Sequence, residues 1–186
     1  MPNITVWTKQ HESVLETLER CGRYTARREF VKYDLGEEHA PLVLEVYDWL
    51  VQHLPPSPPR PEDAELPVWV SFERSATMLK SPGTVILELS VDPGLVTGIN
   101  IAKWGAMLNY SYLPESERDA REHRRLLEDY GVSDARAFMT PFYPQIKRGI
   151  LNSWPRLFDD SVSLGSDAQY GLLWEVRKSW LVRVIQ

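Results

Sequence analysis

Hydrophobic residues fall into two alternating spacings along this chain. A period of two appears first at Ile4-Thr5-Val6-Trp7-Thr8 and predicts a strand rich in β-branched residues. It returns at Val68-Trp69-Val70-Ser71-Phe72 and most clearly over Thr84 to Val91. There Val85, Leu87, Leu89 and Val91 share one face, and Ile86, Glu88 and Ser90 share the other. Helical spacing is carried by Val14, Leu15, Leu18 and Cys21, which predict a helix from about His11 to Cys21 stopped by Gly22. A second helix is expected to start at Pro41 and to bury Leu42, Val43, Val46, Trp49, Leu50 and Leu54.

Further helices are predicted over Ala102 to Tyr110, over the highly charged stretch Glu115 to Tyr130 closed by Gly131, and in parts of Ala135 to Trp154, interrupted at Pro141 and Pro144. Asp92-Pro93-Gly94 reads as a turn. The end of the chain, Gln169 to Trp174 and Trp180 to Ile185, reads as two strands that form a hairpin. This order lacks the regular alternation of a doubly wound sheet. It predicts an α+β fold: one domain over 1–186, with a mixed or mostly antiparallel sheet flanked by helices. Five prolines in the stretch from Pro55 to Pro61 make a stiff connection, read here as a long surface loop within that domain.

Composition narrows the picture. The 186 residues carry a net charge of −5, which argues against a general nucleic-acid coat but leaves room for a local basic site. The single cysteine, Cys21, forms no internal disulfide, and its place on the apolar stripe marks it as a buried thiol. The first residues carry no visible signal peptide and no stretch is apolar enough for a membrane helix, so no membrane association and a cytoplasmic location are expected. Seven tryptophans and eight tyrosines are many for this length, and some are expected to line a cleft or an interface.

Strong catalytic motifs are absent. The chain has no phosphate-binding glycine loop, no His-Glu-x-x-His and no Cys-x-x-Cys, and His11, His39, His53 and His123 are scattered, so no metal is expected. One local cluster stands out: Arg20, Arg23, Arg27, Arg28 and Lys32 interleave with Tyr24, Phe30 and Tyr33. Guanidinium groups and aromatic faces together suit a phosphate-bearing ligand or an RNA strand. The favoured alternative is a solvated surface paired to Glu29, Asp34, Glu37 and Glu38. Glu88 needs a partner or a role if its strand is central, and is an ordinary surface group if that face is open, the favoured reading. Trp104, Asn109, Ser153 to Phe158, Gln169 and Glu175 combine aromatics with polar groups. They either face one cleft or, as favoured, are core anchors with satisfied polar neighbours.

Several short landmarks resemble a bacterial family known only as a domain of unknown function. They are Val6-Trp7-Thr8, Leu18 to Gly22 with Tyr24, Pro67-Val68-Trp69, Trp104, Leu108-Asn109, Tyr112-Leu113-Pro114, Ser153-Trp154 with Leu157-Phe158, and Gln169 with Trp174-Glu175. The order of first strand, helix to Gly22 and late acidic strand is also similar to the ADP-ribosyltransferase-like superfamily. That likeness implies an NAD-binding protein, a toxin or modifying enzyme. Trp7, Thr8, Gln10 and Gln169 would contact the cofactor, Tyr24 would stack, and Glu175 would be the catalytic carboxylate. Whether Gln169 or Glu175 takes the late-strand position, and whether catalysis occurs, stay open. The alternative is a binding module for RNA at Arg20, Arg23, Arg27 and Arg28, or for a protein at a tryptophan-rich surface.

Overall fold

A computed structural model describes residues 2–185, with side chains for all of these except 31–39. The fold is α+β, and its chain divides into two compact units, Met1–Gly98 with Gln169–Gln186, and Ile99–Ala168.

The first unit is built on β1 (Ile4–His11), which pairs antiparallel along its whole length with β4 (Thr84–Val91). On its other side β1 meets β3 (Val68–Ser71), and β3 pairs antiparallel with β6 (Gln169–Leu173). With β5 (Thr97–Asn100) and β8 (Leu181–Ile185) the sheet has six strands in the order β5-β6-β3-β1-β4-β8. Alternation decides its faces. Val6, Val70, Val85, Leu87, Leu89 and Val91 are all buried, and they pack with Val14 and Leu18 of α1 (Ser13–Cys21) in one core. Gly22 then ends α1 in a left-handed conformation at φ 72°, its N–H donating to the Leu18 carbonyl.

Three expectations need correction. The second helix, α2, runs from Arg28 to His53 with Pro41 inside it. Its start is set by a distant residue, since the Arg28 N–H donates to the Glu65 carboxylate at 2.8 Å, an anion at a helix N-terminus. The two last strands are not a hairpin: β6 lies beside β3 and β8 beside β4, with three strands between them. The intervening chain is held instead as β7 (Val176–Arg177), paired with β2 (Arg23–Tyr24), and the Lys178 N–H donates to the Gly22 carbonyl at 2.8 Å. Cys21 is exposed rather than buried. Only Val14 and Leu18 of its stripe are buried, and Cys21 stands in the final turn of α1, past the packed part.

The proline stretch lies inside the first unit, between α2 and β3. It is followed by buried Ala64 and Leu66, and the Leu66 N–H donates to the Ala26 carbonyl at 3.2 Å.

Gly171 of β6 sits opposite Val70. A Cβ there would lie 2.5 Å from Val96 Cγ1 and 2.8 Å from Val70 Cγ2, so these two valines must shift to admit it. Gly171→Ala is expected to destabilise the protein by about 1–3 kcal/mol, read as a lower denaturation midpoint with unchanged slope. An unchanged midpoint would mean that the two valines yield freely.

The second unit holds α3 (Ile101–Leu108), α4 (Glu117–Tyr130), α5 (Asp134–Met139) and α6 (Pro144–Ser153). Each of the first three has its N-terminus capped by a side chain: Asn100 accepts from the Lys103 N–H, Ser116 from the Asp119 N–H and Ser133 from the Arg136 N–H. Gly131 ends α4, as its position predicts. Trp154 and Phe138 stack at 5.3 Å between ring centres, and Phe138 stacks in turn on Tyr110 at 4.9 Å.

Candidate functional site

The pairing of β2 with β7 brings together residues that are about 150 positions apart in sequence. Glu175 lies between β6 and β7, after Trp174, and is only 8% exposed. Its two oxygens are held from opposite sides. Arg23 Nη1 donates to Oε2 at 3.0 Å, and Arg177 donates to Oε1 through Nε at 2.7 Å and Nη2 at 2.6 Å. A carboxylate this buried needs such donors, because an unpaired charge away from water is costly. Arg177 is fixed in turn over the Trp180 ring, 5.4 Å from its centre.

Glu175 lies in the wall of an open surface depression together with Cys21, Gly22, Arg23, Arg177 and Lys178. Two of the rim cations have exposed partners. Arg23 also pairs with Asp63, and Lys178 Nζ lies 2.5 Å from Glu19 Oε2. The hydrogen bond from Arg23 holds the Asp63 carboxyl below the usual carboxylate range and raises the guanidinium above its own. Exposed pairs of this kind contribute little stability.

The other residues expected at the cofactor are distributed differently. Trp7 and Thr8 are neighbours on a strand, so their side chains leave opposite faces of the sheet. Thr8 is buried, donates to the Trp69 carbonyl at 2.7 Å and accepts from Gln10 Nε2 at 2.8 Å. Trp7 donates through Nε1 to Glu88 Oε2 at 3.2 Å. Tyr24 is buried in the core beside β7, its ring 6.4 Å from Phe30. Gln169, on β6, places its side-chain oxygen against Gly98. Of the expected set, the structure joins Thr8 to Gln10 and Tyr24's strand to Glu175's neighbour Val176. Trp7, Thr8, Gln10, Tyr24 and Gln169 are not among the residues lining the depression.

Glu88, favoured as a surface group, is buried and takes its second donor from Arg183 Nη2 at 2.8 Å across β8. The arginine cluster is mostly spoken for. Besides Arg23, Arg28 pairs with Asp48, and Arg27 lies 3.9 Å from Glu29. Of the expected partners only Glu29 is seen, and Asp48, Asp63 and Glu175 are partners that sequence proximity does not reveal. The side chains of Lys32, Tyr33, Asp34, Glu37 and Glu38 lie outside the described residues. Trp104, Trp154 and Trp174 are buried, the core placement favoured for the late tryptophans, and Trp7, Trp49, Trp69 and Trp180 are half-buried.

Within the second unit, Trp154 Nε1 donates to the Ser111 carbonyl at 3.0 Å, and Ser153 Oγ accepts from the Leu113 N–H at 2.9 Å. A polar network surrounds them. Tyr112 stacks on His123 at 4.1 Å and donates to Asp119 at 2.9 Å, while Arg156 Nη1 reaches Asp119 at 3.0 Å. Burial pushes the Asp119 carboxyl up, but hydrogen bonds from the Glu115 N–H and Tyr112, with the charge of Arg156, bring it below the usual range. His123 Nε2 and Asp134 Oδ1 share a 2.6 Å hydrogen bond. Every member has an internal partner, and the network pins the 111–115 segment to α4 and α6. Among the described residues no group of three or more His, Cys, Asp or Glu side chains is placed to hold a metal, and no helix is long and apolar enough to cross a membrane.

The chain belongs to the family described as a domain of unknown function, DUF3841, whose model matches residues 5–182. Comparison with curated proteins and with solved structures gives no match for either.

Proposed function

We propose that this protein binds a phosphate-bearing nucleotide in the depression at Glu175, with NAD as the ligand that an ADP-ribosyltransferase-like chemistry would require. The observation that carries the reading is a carboxylate 8% exposed, held by Arg23 and Arg177, at an open depression whose rim adds Lys178. Guanidinium forks suit phosphate oxygens, and the exposed Asp63 and Glu19 are the partners that a phosphate would displace from these cations. With three of its roughly four lone-pair sites taken by the arginines, Glu175 keeps one on Oε2. It would accept a ribose hydroxyl and stabilise the positive charge that develops as nicotinamide leaves. In this arrangement Arg23 and Arg177 take the place beside the ligand that sequence reasoning gave to Trp7, Thr8 and Gln10.

The test is the thermal unfolding midpoint of the protein with and without saturating NAD. Ligand at about 100 times its dissociation constant adds roughly 2.7 kcal/mol to the folded state, enough for a shift of several degrees. Glu175→Gln is expected to retain a shift with ADP-ribose and to lose nicotinamide release. Release at the wild-type rate would remove the catalytic role from Glu175. No shift with NAD in the wild type would remove the nucleotide reading itself.

A further inference from the structure

We propose that Asp63 is a built-in competitor for this site: its carboxylate occupies the half of the Arg23 guanidinium that a ligand phosphate would take. The inference rests on the nucleotide reading above. Arg23 divides its two terminal nitrogens, Nη1 to Glu175 and Nη2 to Asp63. The two partners are unequal. The Glu175 side chain is 10% exposed and is held a second time by Arg177, whereas the Asp63 side chain is 55% exposed and Arg23 is its only ion-pair partner among the described residues. Glu175 is thus the fixed partner and Asp63 the exchangeable one.

Asp63 does not stay at Arg23 by the strength of its own pair. The segment around it is anchored elsewhere. Arg60 sits over the Trp174 ring at 5.4 Å and donates through Nε to the Ala64 carbonyl at 2.6 Å. The Glu65 carboxylate accepts from the Arg28 N–H, and Leu66 is buried and bonded to Ala26. These contacts hold the Asp63 carboxylate beside Arg23 at a high effective concentration, so an incoming anion competes with a tethered group rather than with water. Removing the charge of Asp63 while leaving the anchors intact frees one face of the fork.

The experiment is a calorimetric titration of NAD into the wild type, Asp63→Asn and Glu62→Gln. Glu62 is the exposed neighbour of Asp63, and its substitution makes the same change in net charge without touching the Arg23 pair. The expected result is a Kd about three- to tenfold lower for Asp63→Asn, corresponding to about 0.6–1.4 kcal/mol, with Glu62→Gln close to wild type. Equal tightening in both variants would assign the effect to overall charge and overturn the inference. Equal affinity in all three proteins would overturn it while leaving the nucleotide site standing. No binding to any of them would overturn the site and the competitor together.

Discussion

Lys103→Ala is expected to lower the unfolding free energy by about 3–4 kcal/mol. Lys103 is 1% exposed, yet among the described residues this cation has no carboxylate in contact. Its Nζ donates to the Arg156 carbonyl at 3.0 Å and the Asp159 carbonyl at 2.6 Å, closing the turn that follows Trp154. Alanine removes both the buried stem and the two hydrogen bonds. Lys103→Met keeps most of the stem, so its cost should fall to about 1–2 kcal/mol, and the difference between the two variants separates packing from hydrogen bonding. The pH dependence provides a second check. Burial lowers the Lys103 pKa in the folded protein, opposed by the more distant charges of Asp160, Asp159 and Asp167. Between that lowered value and the ordinary lysine value the unfolded chain binds more protons than the folded one, so wild-type stability gains with rising pH across this window. The deficit of Lys103→Met relative to wild type should therefore widen there. A deficit that stays flat would mean that the ammonium is as well solvated when folded as when unfolded.

Trp154→Ala is expected to cost about 3–5 kcal/mol and to raise the unfolding rate. Trp154 is 0% exposed and stacks on Phe138, and its indole N–H is bonded to the Ser111 carbonyl. Trp154→Phe retains an aromatic ring against Phe138 but strands that carbonyl, and about 1–3 kcal/mol should be lost. Chemical denaturation of both variants reads the effect directly. Near-wild-type stability for Trp154→Ala would mean that the α3–α6 unit collapses around the vacancy without cost.

Local pattern was legible wherever burial follows a simple period. The strand over Thr84–Val91 has the predicted bounds, and its four odd-numbered apolar residues are all in the core. The helices over Ile101–Leu108 and Glu117–Tyr130 also lie where spacing and Gly131 place them. The aromatic landmarks at Tyr112-Leu113-Pro114 and Ser153-Trp154 proved to be joined to one another, through Ser153 to Leu113 and Trp154 to Ser111. Pattern failed where a distant group overrode it. A start at Pro41 is the natural choice from sequence, and Glu65 moves it to Arg28. Cys21 has the spacing of a core residue, but packing ends one turn earlier.

The candidate site was only half visible. Glu175 stood out in the sequence only through the expected likeness to ADP-ribosyltransferase-like proteins, which implies a carboxylate on a late strand. Arg23 was visible as one member of a basic cluster, but nothing in that cluster distinguished it from Arg20 or Arg27. Arg177 and Asp63 carried no signal of their own, since isolated charges next to a strand end or a proline-rich loop are ordinary surface. What the sequence determined by itself is the set of amphipathic elements and their class, because periodic burial is written into neighbouring residues. The tertiary structure decided which charges meet. The order of the strands, the capture of Val176–Arg177 by Arg23–Tyr24 and the return of the 55–66 segment are set by contacts between residues far apart in the chain, and ion pairing depends on that proximity in space.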